Sequence, residues 1–235
     1  MHIQFQSGGY TLAGNLFLPA SNPKPLAFLL IQGWQGHQNV AAAKALAGKG
    51  YPAMTYDMRG HGDSQGDLAL FSRADFIKDA VVAYDLLVGK VSAGTHIGVI
   101  GSSFGSYTAI LLSKERDVYS LSLRVPAAYP DEGYDKPQAA QKEASGDFHA
   151  FRIRKVTFAQ NRACQALHDF ARPIRIIESG ADEFVPHQVI ENYLAAVQDK
   201  AKLTYQIMDD APHSLETPEQ RTAYEKTLLA WVATL

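Results

Sequence analysis

A doubly wound α/β fold, in which helices cover both faces of a mostly parallel β-sheet, is the architecture that this sequence predicts. Strand-like and helix-like segments alternate along the 235 residues and are joined by short links. Apolar runs of strand length occur at Leu26–Ile31, Tyr51–Tyr56 and Ile97–Ile100, and such runs are typical of strands buried on both faces. The composition, 46% apolar and 20% charged, suits one globular domain over residues 1–235.

The same patterns place the remaining strands and helices. Ile3–Gln6 and Tyr10–Phe17 flank a Ser-Gly-Gly turn and predict an antiparallel hairpin. A capping pair precedes a helix that reaches Val88, and Thr217–Gln220 has the caps of a C-terminal helix. The other predicted strands are Leu121–Val125, Ile174–Ile177 and Leu203–Met208, and the other predicted helices are Val40–Leu46, Ser106–Lys114, one between Ala159 and Phe170, and one between Ile190 and Val197.

The segment 128–172 interrupts this alternation and contains no good strand. Its first half is polar and rich in turn residues, whereas apolar residues recur at helical spacing in its second half. It is too short for a separate domain and longer than the usual link of roughly 2–6 residues. We expect a small cap of loop and helix over the strand ends. A surface excursion without substrate contact is the alternative.

Charge and composition exclude several classes of protein. A net charge of -2 gives no sign of a nucleic-acid surface. The first residues lack the basic and apolar regions of a signal peptide, and no apolar stretch approaches the roughly 20 residues that cross a bilayer. The lone Cys164 excludes an internal disulfide and a cysteine-type zinc site. We therefore expect a cytoplasmic protein with neither a nucleic-acid nor a membrane partner, and Cys164 as a buried helix residue.

The pentapeptide Gly101–Gly105, with the pattern G-x-S-x-G, is the strongest chemical signal in the chain. It lies between the apolar run Ile97–Ile100 and a predicted helix. A serine between a strand and a helix occupies a tight turn, for which the flanking glycines leave room. Such a turn lifts the hydroxyl above the sheet, where a base can reach it. Ser103 is therefore the candidate nucleophile.

A serine nucleophile needs a base, and the base needs a group that orients it. Among the eight histidines, only His213 lies between the last predicted strand and the last predicted helix. Asp182, on the loop after the strand Ile174–Ile177, is the favoured orienting acid. Three other acids remain candidates for that role: Glu183, Glu178 and Asp131.

Acyl transfer also requires two backbone N–H groups that face the developing oxyanion. The residue after the nucleophile, Phe104, supplies one of them. The turn after the first central strand, which contains Gln32 and Gly33, should supply the second. Trp34 is the favoured donor there, with Gln35 as the second choice.

The chain resembles the α/β-hydrolase superfamily, and within it the small serine esterase and dienelactone-hydrolase-like branch. The segments that carry the resemblance are, in chain order, Gln32–Trp34, Asp57–Ser64, Gly101–Gly105, Gly180–Pro186 and His213. The resemblance covers about residues 26 to 235. It implies a catalytic triad of Ser103, Asp182 and His213, with Trp34 and Phe104 as oxyanion donors. It also implies that Arg59 and His61 pack a structural turn and are not catalysts.

Two positions depart from the family pattern. Gln32 stands where these enzymes usually carry histidine, and Ser179 replaces a glycine that is common before the acid. A backbone donor survives the first change because it is an N–H group. We expect the bracing of the oxyanion loop to differ.

The resemblance implies a hydrolase for small carboxylic esters that acts through an acyl-enzyme and needs neither a metal nor an organic cofactor. Because a Trp34 side chain beside the nucleophile would wall the pocket and the cap is small, we expect short acyl groups, roughly C2 to C6. A thioesterase or acyltransferase, and a non-catalytic protein that binds small molecules on the same scaffold, are the alternatives. The sequence leaves the oligomeric state open.

Overall fold

The sheet contains eight strands in the computed structural model, which describes residues 1–235 apart from the side chains at positions 142 and 145. The strands are β1 (His2–Ser7), β2 (Tyr10–Phe17), β3 (Leu26–Ile31), β4 (Ala53–Tyr56), β5 (His96–Ser102), β6 (Val118–Arg124), β7 (Ile174–Ser179) and β8 (Leu203–Met208). Their order across the sheet is β1-β2-β4-β3-β5-β6-β7-β8. The strands β3 to β8 run parallel, whereas β1 and β2 form an antiparallel hairpin that pairs with β4. The mostly parallel sheet is thus confirmed.

Eight α-helices accompany the strands. They are α1 (Val40–Gly48), α2 (Arg73–Val88), α3 (Phe104–Glu115), α4 (Gln138–Ser145), α5 (Phe148–Arg152), α6 (Arg162–Asp169), α7 (His187–Ala196) and α8 (Pro218–Val232). The predicted caps are present: the side chains of Ser72 and Thr217 accept hydrogen bonds from the Asp75 and Gln220 N–H groups. These two helices therefore begin where the sequence predicts.

The central strand β3 is buried on both faces because its alternate residues join two different cores. Phe28 and Leu30 pack in the cluster that contains the apolar residues of α1 and α8. Leu29 and Ile31 pack in the cluster that contains those of α2, α3, α6 and α7. Side chains that alternate between the two faces of a strand explain this division. The helices thus cover both faces of the sheet, as the continuous apolar runs predict.

The strand order changes direction between β3 and β5, and this determines where a crevice opens at the edge of the sheet. The connection after β3 runs through α1 to β4 on one side, and the connection after β5 runs through α3 to β6 on the other side. Because neighbouring connections leave in opposite directions, a crevice opens at the carboxyl ends of β3 and β5. The Gln32 turn follows β3 and Ser103 follows β5, so both lie at this crevice.

Several predicted strands begin or end at other residues, and two of these differences have local reasons. The strand predicted at Tyr51–Tyr56 begins at Ala53, since Pro52 has no N–H group to donate to a ladder. The strand predicted at Leu121–Val125 begins three residues earlier and ends at Arg124. Val125 has left the extended region, with a φ of 40° that is unusual for a β-branched residue.

The segment 128–172 contains three helices, α4, α5 and α6, and no strand among its described residues. The predicted helix in its second half is α6, and the Asn161 side chain caps it by accepting from the Ala163 and Cys164 N–H groups. Cys164 is buried on this helix, as expected, and burial raises its pKa to about 12. The helices α4 and α5 were not predicted, because α5 has only five residues and α4 is largely polar.

A substitution at Gly105 tests how closely β3 and the start of α3 pack against each other. A Cβ atom there would lie 2.2 Å from the Ile31 carbonyl oxygen and 2.5 Å from that of Gln32, and neither backbone group can move aside. Gly105→Ala should therefore lower the free energy of unfolding by at least about 2 kcal/mol in urea denaturation. Gly48→Ala is the matched control: its Cβ would meet no atom within 4 Å at the end of α1. Equal unfolding midpoints for the two variants would contradict the contact.

Candidate functional site

Ser103 occupies a strained turn between β5 and α3. Its backbone has φ 54° and ψ -116°, a region that residues other than glycine rarely enter. The Ser103 N–H donates to the Arg124 carbonyl at 2.9 Å, and the Ala127 N–H donates to the Ser103 carbonyl at 3.3 Å. The end of β6 and the residues after it therefore hold the turn in this conformation. The helix predicted to begin at Ser106 begins at Phe104, directly after the turn.

The structure brings Ser103, His213 and Asp182 together from three different loops. The Ser103 Oγ lies 2.9 Å from His213 Nε2. On the other side of the imidazole ring, Nδ1 lies 2.8 Å from Asp182 Oδ2 and 2.9 Å from Oδ1. The loop after β8 carries His213, and the loop after β7 carries Asp182. Because these strands are parallel, their carboxyl ends meet at one edge of the sheet.

The Asp182 carboxylate is oriented and kept ionised by its partners. Its Oδ1 accepts the Phe184 and Val185 N–H groups, each at 2.8 Å. Burial alone would raise the pKa of this carboxyl, but the hydrogen bonds to His213 and to the two N–H groups outweigh burial and lower it. Asp182 is therefore charged at neutral and mildly acidic pH, as an acceptor for the His213 Nδ1–H must be.

None of the other candidate acids contacts the His213 imidazole. Glu183 accepts the backbone N–H of His213 at 3.1 Å. Glu178 is 2.7 Å from His187 Nδ1 and also accepts the Tyr205 hydroxyl. Asp131 forms an ion pair with the guanidinium of Arg162. The geometry thus favours Asp182 as the partner of the imidazole ring.

The two predicted oxyanion donors lie on the two segments next to Ser103, the start of α3 and the turn after β3. The Phe104 N–H is at the first residue of α3, where helices have no internal acceptor. Trp34 lies on the turn after β3, and the position of a Gly33 Cβ would be 3.4 Å from the Ser103 Cβ. Neither N–H donates to any described acceptor. The same holds for Gln35, which has a φ of 50°, so it stays the second choice on that turn.

The Trp34 indole is fixed by an aromatic cluster. Its ring meets His61, Phe76 and Phe104 edge to face, with ring centroids 5.3–5.7 Å apart. Such contacts stabilise an aromatic pair beyond its buried area. Trp34 lines both cavities that open beside Ser103. Its fixed indole therefore forms part of the wall of both cavities.

Two cavities share the Ser103 and His213 side chains. The first, about 470 Å³, is lined by the turn after β3, by Arg124 and by residues at the start of α8. The second, about 460 Å³, lies beside the insertion and is lined by Arg73, Tyr129 and Arg152 among others. The proposed nucleophile thus faces two separate spaces of similar size.

Gln32 does not brace its loop through its side chain. It is 4% exposed, and neither amide atom has a hydrogen-bond partner among the described groups. The turn is held instead by the Gly36 N–H, which donates to the Gly33 carbonyl at 3.0 Å, and by the packing of Trp34.

Arg59 and His61 occupy the buried structural turn that the resemblance implies. The Arg59 guanidinium pairs with Asp79, at 2.5 Å between Nη2 and Oδ1. The His61 Nδ1–H donates to the Arg59 carbonyl at 3.1 Å, and burial lowers the pKa of this imidazole. Neither residue lines the two cavities beside Ser103.

Arg124, at the carboxyl end of β6, is a site residue that the sequence analysis missed. Its Nη2 donates to the His213 carbonyl at 2.6 Å and to Ser179 Oγ at 3.3 Å. Its Nη1 donates to Ser102 Oγ at 3.2 Å, beside the nucleophile. No described carboxylate pairs with this buried cation, and burial lowers its pKa. The available signal was a lone arginine inside the apolar run Leu121–Val125.

The sequence profile of the serine aminopeptidase S33 family, a family of α/β-hydrolases, matches residues 27–145, half of the chain. The chain belongs to this family. An uncharacterized protein of Mycobacterium tuberculosis H37Rv is 24% identical over 194 residues, which are 81% of this chain and 64% of that protein. The chain thus spans less than two thirds of that relative's length.

Solved structures with the same fold cover nearly the whole chain. Est1E from Butyrivibrio proteoclasticus, solved with ferulic acid bound, has a TM-score of 0.73 at 19% identity and covers 98% of this chain and 99% of its own. A serine hydrolase homologue from Coxiella burnetii has a TM-score of 0.72 at 18% identity, with 98% and 96% covered. Together with the family profile over residues 27–145, this shared fold confirms the α/β-hydrolase superfamily. No helix in the described residues is long and apolar enough to cross a membrane.

The hydrogen bond from Arg124 to the His213 carbonyl predicts that Arg124 helps to position His213. Arg124→Met should lower kcat for p-nitrophenyl acetate by about tenfold or more, with a smaller change in KM, because the loop that carries His213 loses its anchor. Arg175→Met is the matched control: this arginine is also buried in a strand, but it donates to Gln206 and Thr227, away from Ser103. Equal kcat values for the two variants would show that Arg124 contributes only to stability.

Proposed function

We propose that this protein is a serine hydrolase that cleaves small carboxylic esters with short acyl groups through an acyl-enzyme on Ser103. The observation that carries the proposal is the continuous contact from Ser103 Oγ to His213 Nε2, 2.9 Å, and from His213 Nδ1 to Asp182, 2.8 Å. These contacts supply a nucleophile, a base and a group that orients the base, in the order that acyl transfer requires.

In the first half-reaction His213 Nε2 takes the hydroxyl proton while Ser103 Oγ attacks the ester carbonyl. The carbonyl oxygen becomes an oxyanion that the Phe104 and Trp34 N–H groups stabilise. Asp182 stabilises the imidazolium and holds its tautomer. The imidazolium then gives its proton to the alcohol oxygen, the C–O bond breaks, and the acyl group remains on Ser103.

In the second half-reaction water replaces the alcohol. His213 takes a proton from water, whose oxygen attacks the acyl-enzyme carbonyl, and the same two N–H groups stabilise the second oxyanion. Collapse of this intermediate returns the proton to Ser103 Oγ and releases the carboxylic acid. Arg124 acts through His213 in both halves, because it ties the carbonyl of that residue to β6.

The two cavities support a small substrate with one group on each side of the scissile bond. Their volumes, about 470 and 460 Å³, fall in the lower part of the range for small-molecule sites. Trp34 lines both spaces and is fixed by three aromatic contacts. A short acyl group fits within either space, whereas a long chain would extend from it into solvent, so short acyl groups are favoured.

The positive charge of the cavity beside the insertion favours an ester substrate. The family name suggests a different substrate, the N-terminal peptide bond of a peptide. An aminopeptidase substrate presents an ammonium group close to the scissile carbonyl. The second cavity is lined by Arg73 and Arg152 and by no acidic residue among the described side chains. Two guanidinium groups repel an ammonium group, which disfavours it in this space.

The proposal predicts that Ser103→Ala removes ester hydrolysis. Loss of the nucleophile should lower kcat/KM for p-nitrophenyl butyrate by about a thousandfold or more while the fold persists. Across a series of p-nitrophenyl esters, the wild type should prefer acyl groups of roughly C2 to C6, in a graded way. Ser113→Ala is the matched control, since its hydroxyl donates only to the Ile110 carbonyl within α3.

Four outcomes would overturn the assignment. Retention of more than about a tenth of the activity in Ser103→Ala would remove Ser103 as nucleophile. An optimum at the dodecanoyl ester would contradict the preference for short chains. Faster turnover of matched thioesters, or transfer to added alcohols in place of water, would favour the thioesterase or acyltransferase alternative. A protein that binds esters without turnover would be the non-catalytic alternative.

A further inference from the structure

The cavity beside the insertion is positively charged. It lies between Ser103 and His213 on one side and helices α4 and α5 on the other. Arg73 and Arg152 are its charged lining residues, and its other described polar side chains are hydroxyls, amides and the His213 imidazole. No aspartate or glutamate is among the lining residues. The described cavity wall therefore holds no carboxylate that could pair with Arg152.

Arg152 is held in place without an ionic partner. Its Nε donates to the Ala128 carbonyl at 3.1 Å, and its Nη1 donates to the Phe184 carbonyl at 3.2 Å. Its guanidinium carbon lies 5.0 Å from the centre of the Tyr129 ring. No described carboxylate forms an ion pair with it. These contacts, together with a side-chain hydrogen bond to the Tyr129 hydroxyl, hold the guanidinium at the cavity wall.

Arg73 adds a second positive charge to the same wall. Its side chain is buried, and its Nη1 and Nη2 donate to the Pro130 and Glu132 carbonyls at 2.5 and 2.6 Å. Its guanidinium carbon lies 5.5 Å from the Tyr129 ring, which both arginines therefore contact. The positive charge of the cavity is thus built into a buried, hydrogen-bonded framework.

The acids of the neighbouring loops are engaged elsewhere. Asp182 and Glu183 hydrogen-bond to the ring and to the backbone N–H of His213. Asp131 pairs with Arg162, whose guanidinium lies over the Tyr134 ring. An incoming anion would therefore meet Arg152 without first displacing a described carboxylate of the protein.

We propose that the substrate is an ester that also bears a carboxylate, and that Arg152 binds this carboxylate while the ester carbonyl lies at Ser103. The proposal rests on the ester hydrolysis proposed above. An arginine presents a fixed fork of donors that matches a carboxylate, and charge-assisted hydrogen bonds of this kind are stronger than neutral ones. A partly buried cation without a counterion also gains most from a ligand that supplies one.

The chemical step is unchanged by this assignment. Water adds across the ester bond, the acyl carbon gains the hydroxyl oxygen, and the alcohol oxygen gains the proton. A hemi-ester of a dicarboxylic acid gives the dicarboxylic acid and an alcohol. An ester of a hydroxy acid gives the hydroxy acid and a carboxylic acid. The test includes both, because the carboxylate can be on the acyl or on the alcohol side.

Two pairs of matched esters test the proposal. For the acyl side, p-nitrophenyl hydrogen adipate is compared with p-nitrophenyl hexanoate, and for the alcohol side para-acetoxybenzoate is compared with para-acetoxybenzamide. Uncatalysed hydrolysis is subtracted. In at least one pair, kcat/KM should favour the anionic ester by about tenfold, and Arg152→Gln should reduce that ratio to about one.

Arg154→Gln is the matched control for the loss of a positive charge. Arg154 lies two positions further along, is exposed, and does not line the cavity beside Ser103. Its replacement should leave the ratio unchanged. Wild-type hydrolysis of the neutral esters without an anionic preference in either pair would overturn the carboxylate site. A preference that survives Arg152→Gln would overturn it too.

A binding measurement separates this proposal from the proposed function. Monomethyl adipate is titrated calorimetrically into Ser103→Ala and into Ser103→Ala combined with Arg152→Gln. Binding about tenfold weaker in the double variant supports the carboxylate site even if the wild type hydrolyses no ester. Equal binding in the two variants overturns the site, whatever the wild type hydrolyses.

Discussion

The left-handed turn at Ser103 is the constraint on which the whole candidate site depends. A φ of 54° costs free energy at a residue that has a Cβ, so the surrounding structure must hold it. The hydrogen bonds of the Ser103 backbone to Arg124 and Ala127 do this, and Gly101 and Gly105 leave room for the neighbouring backbone. The same turn places the Ser103 hydroxyl beside His213 and begins α3 at Phe104, whose N–H stays available. One strained residue thus sets both the nucleophile and a proposed oxyanion donor.

The end of β6 connects this turn to the rest of the site. The Arg124 carbonyl accepts the N–H of the strained residue, while its guanidinium reaches the loop that carries His213. A buried cation that contacts carbonyls and hydroxyls in place of a carboxylate is costly by itself. Its contacts join Ser102 at the end of β5, Ser179 at the end of β7 and the loop that carries His213, so one side chain ties all three to β6.

The order of motifs along the chain predicts most of the candidate site. It does not predict the local backbone conformations or the contacts of Arg124. Ser103, Asp182 and His213 each follow a predicted strand, and parallel strands bring their carboxyl ends to one edge, so their proximity followed from the pattern. The start of α3 and the end of β6 were misjudged, because positive φ values at Ser103 and Val125 override local propensity. Helices α4 and α5 were too short or too polar to show a periodic pattern. Arg124 was missed because a lone arginine in a predicted strand does not indicate which loop its side chain reaches.

The central claim, that His213 activates Ser103 as the nucleophile, is tested most directly by labelling with a fluorophosphonate and locating the adduct by peptide mass mapping. An activated serine displaces fluoride from phosphorus and keeps the phosphonate. We expect one adduct per chain, on Ser103, and far slower formation of this adduct in His213→Ala. An adduct on another residue, or labelling at an unchanged rate in His213→Ala, would contradict it.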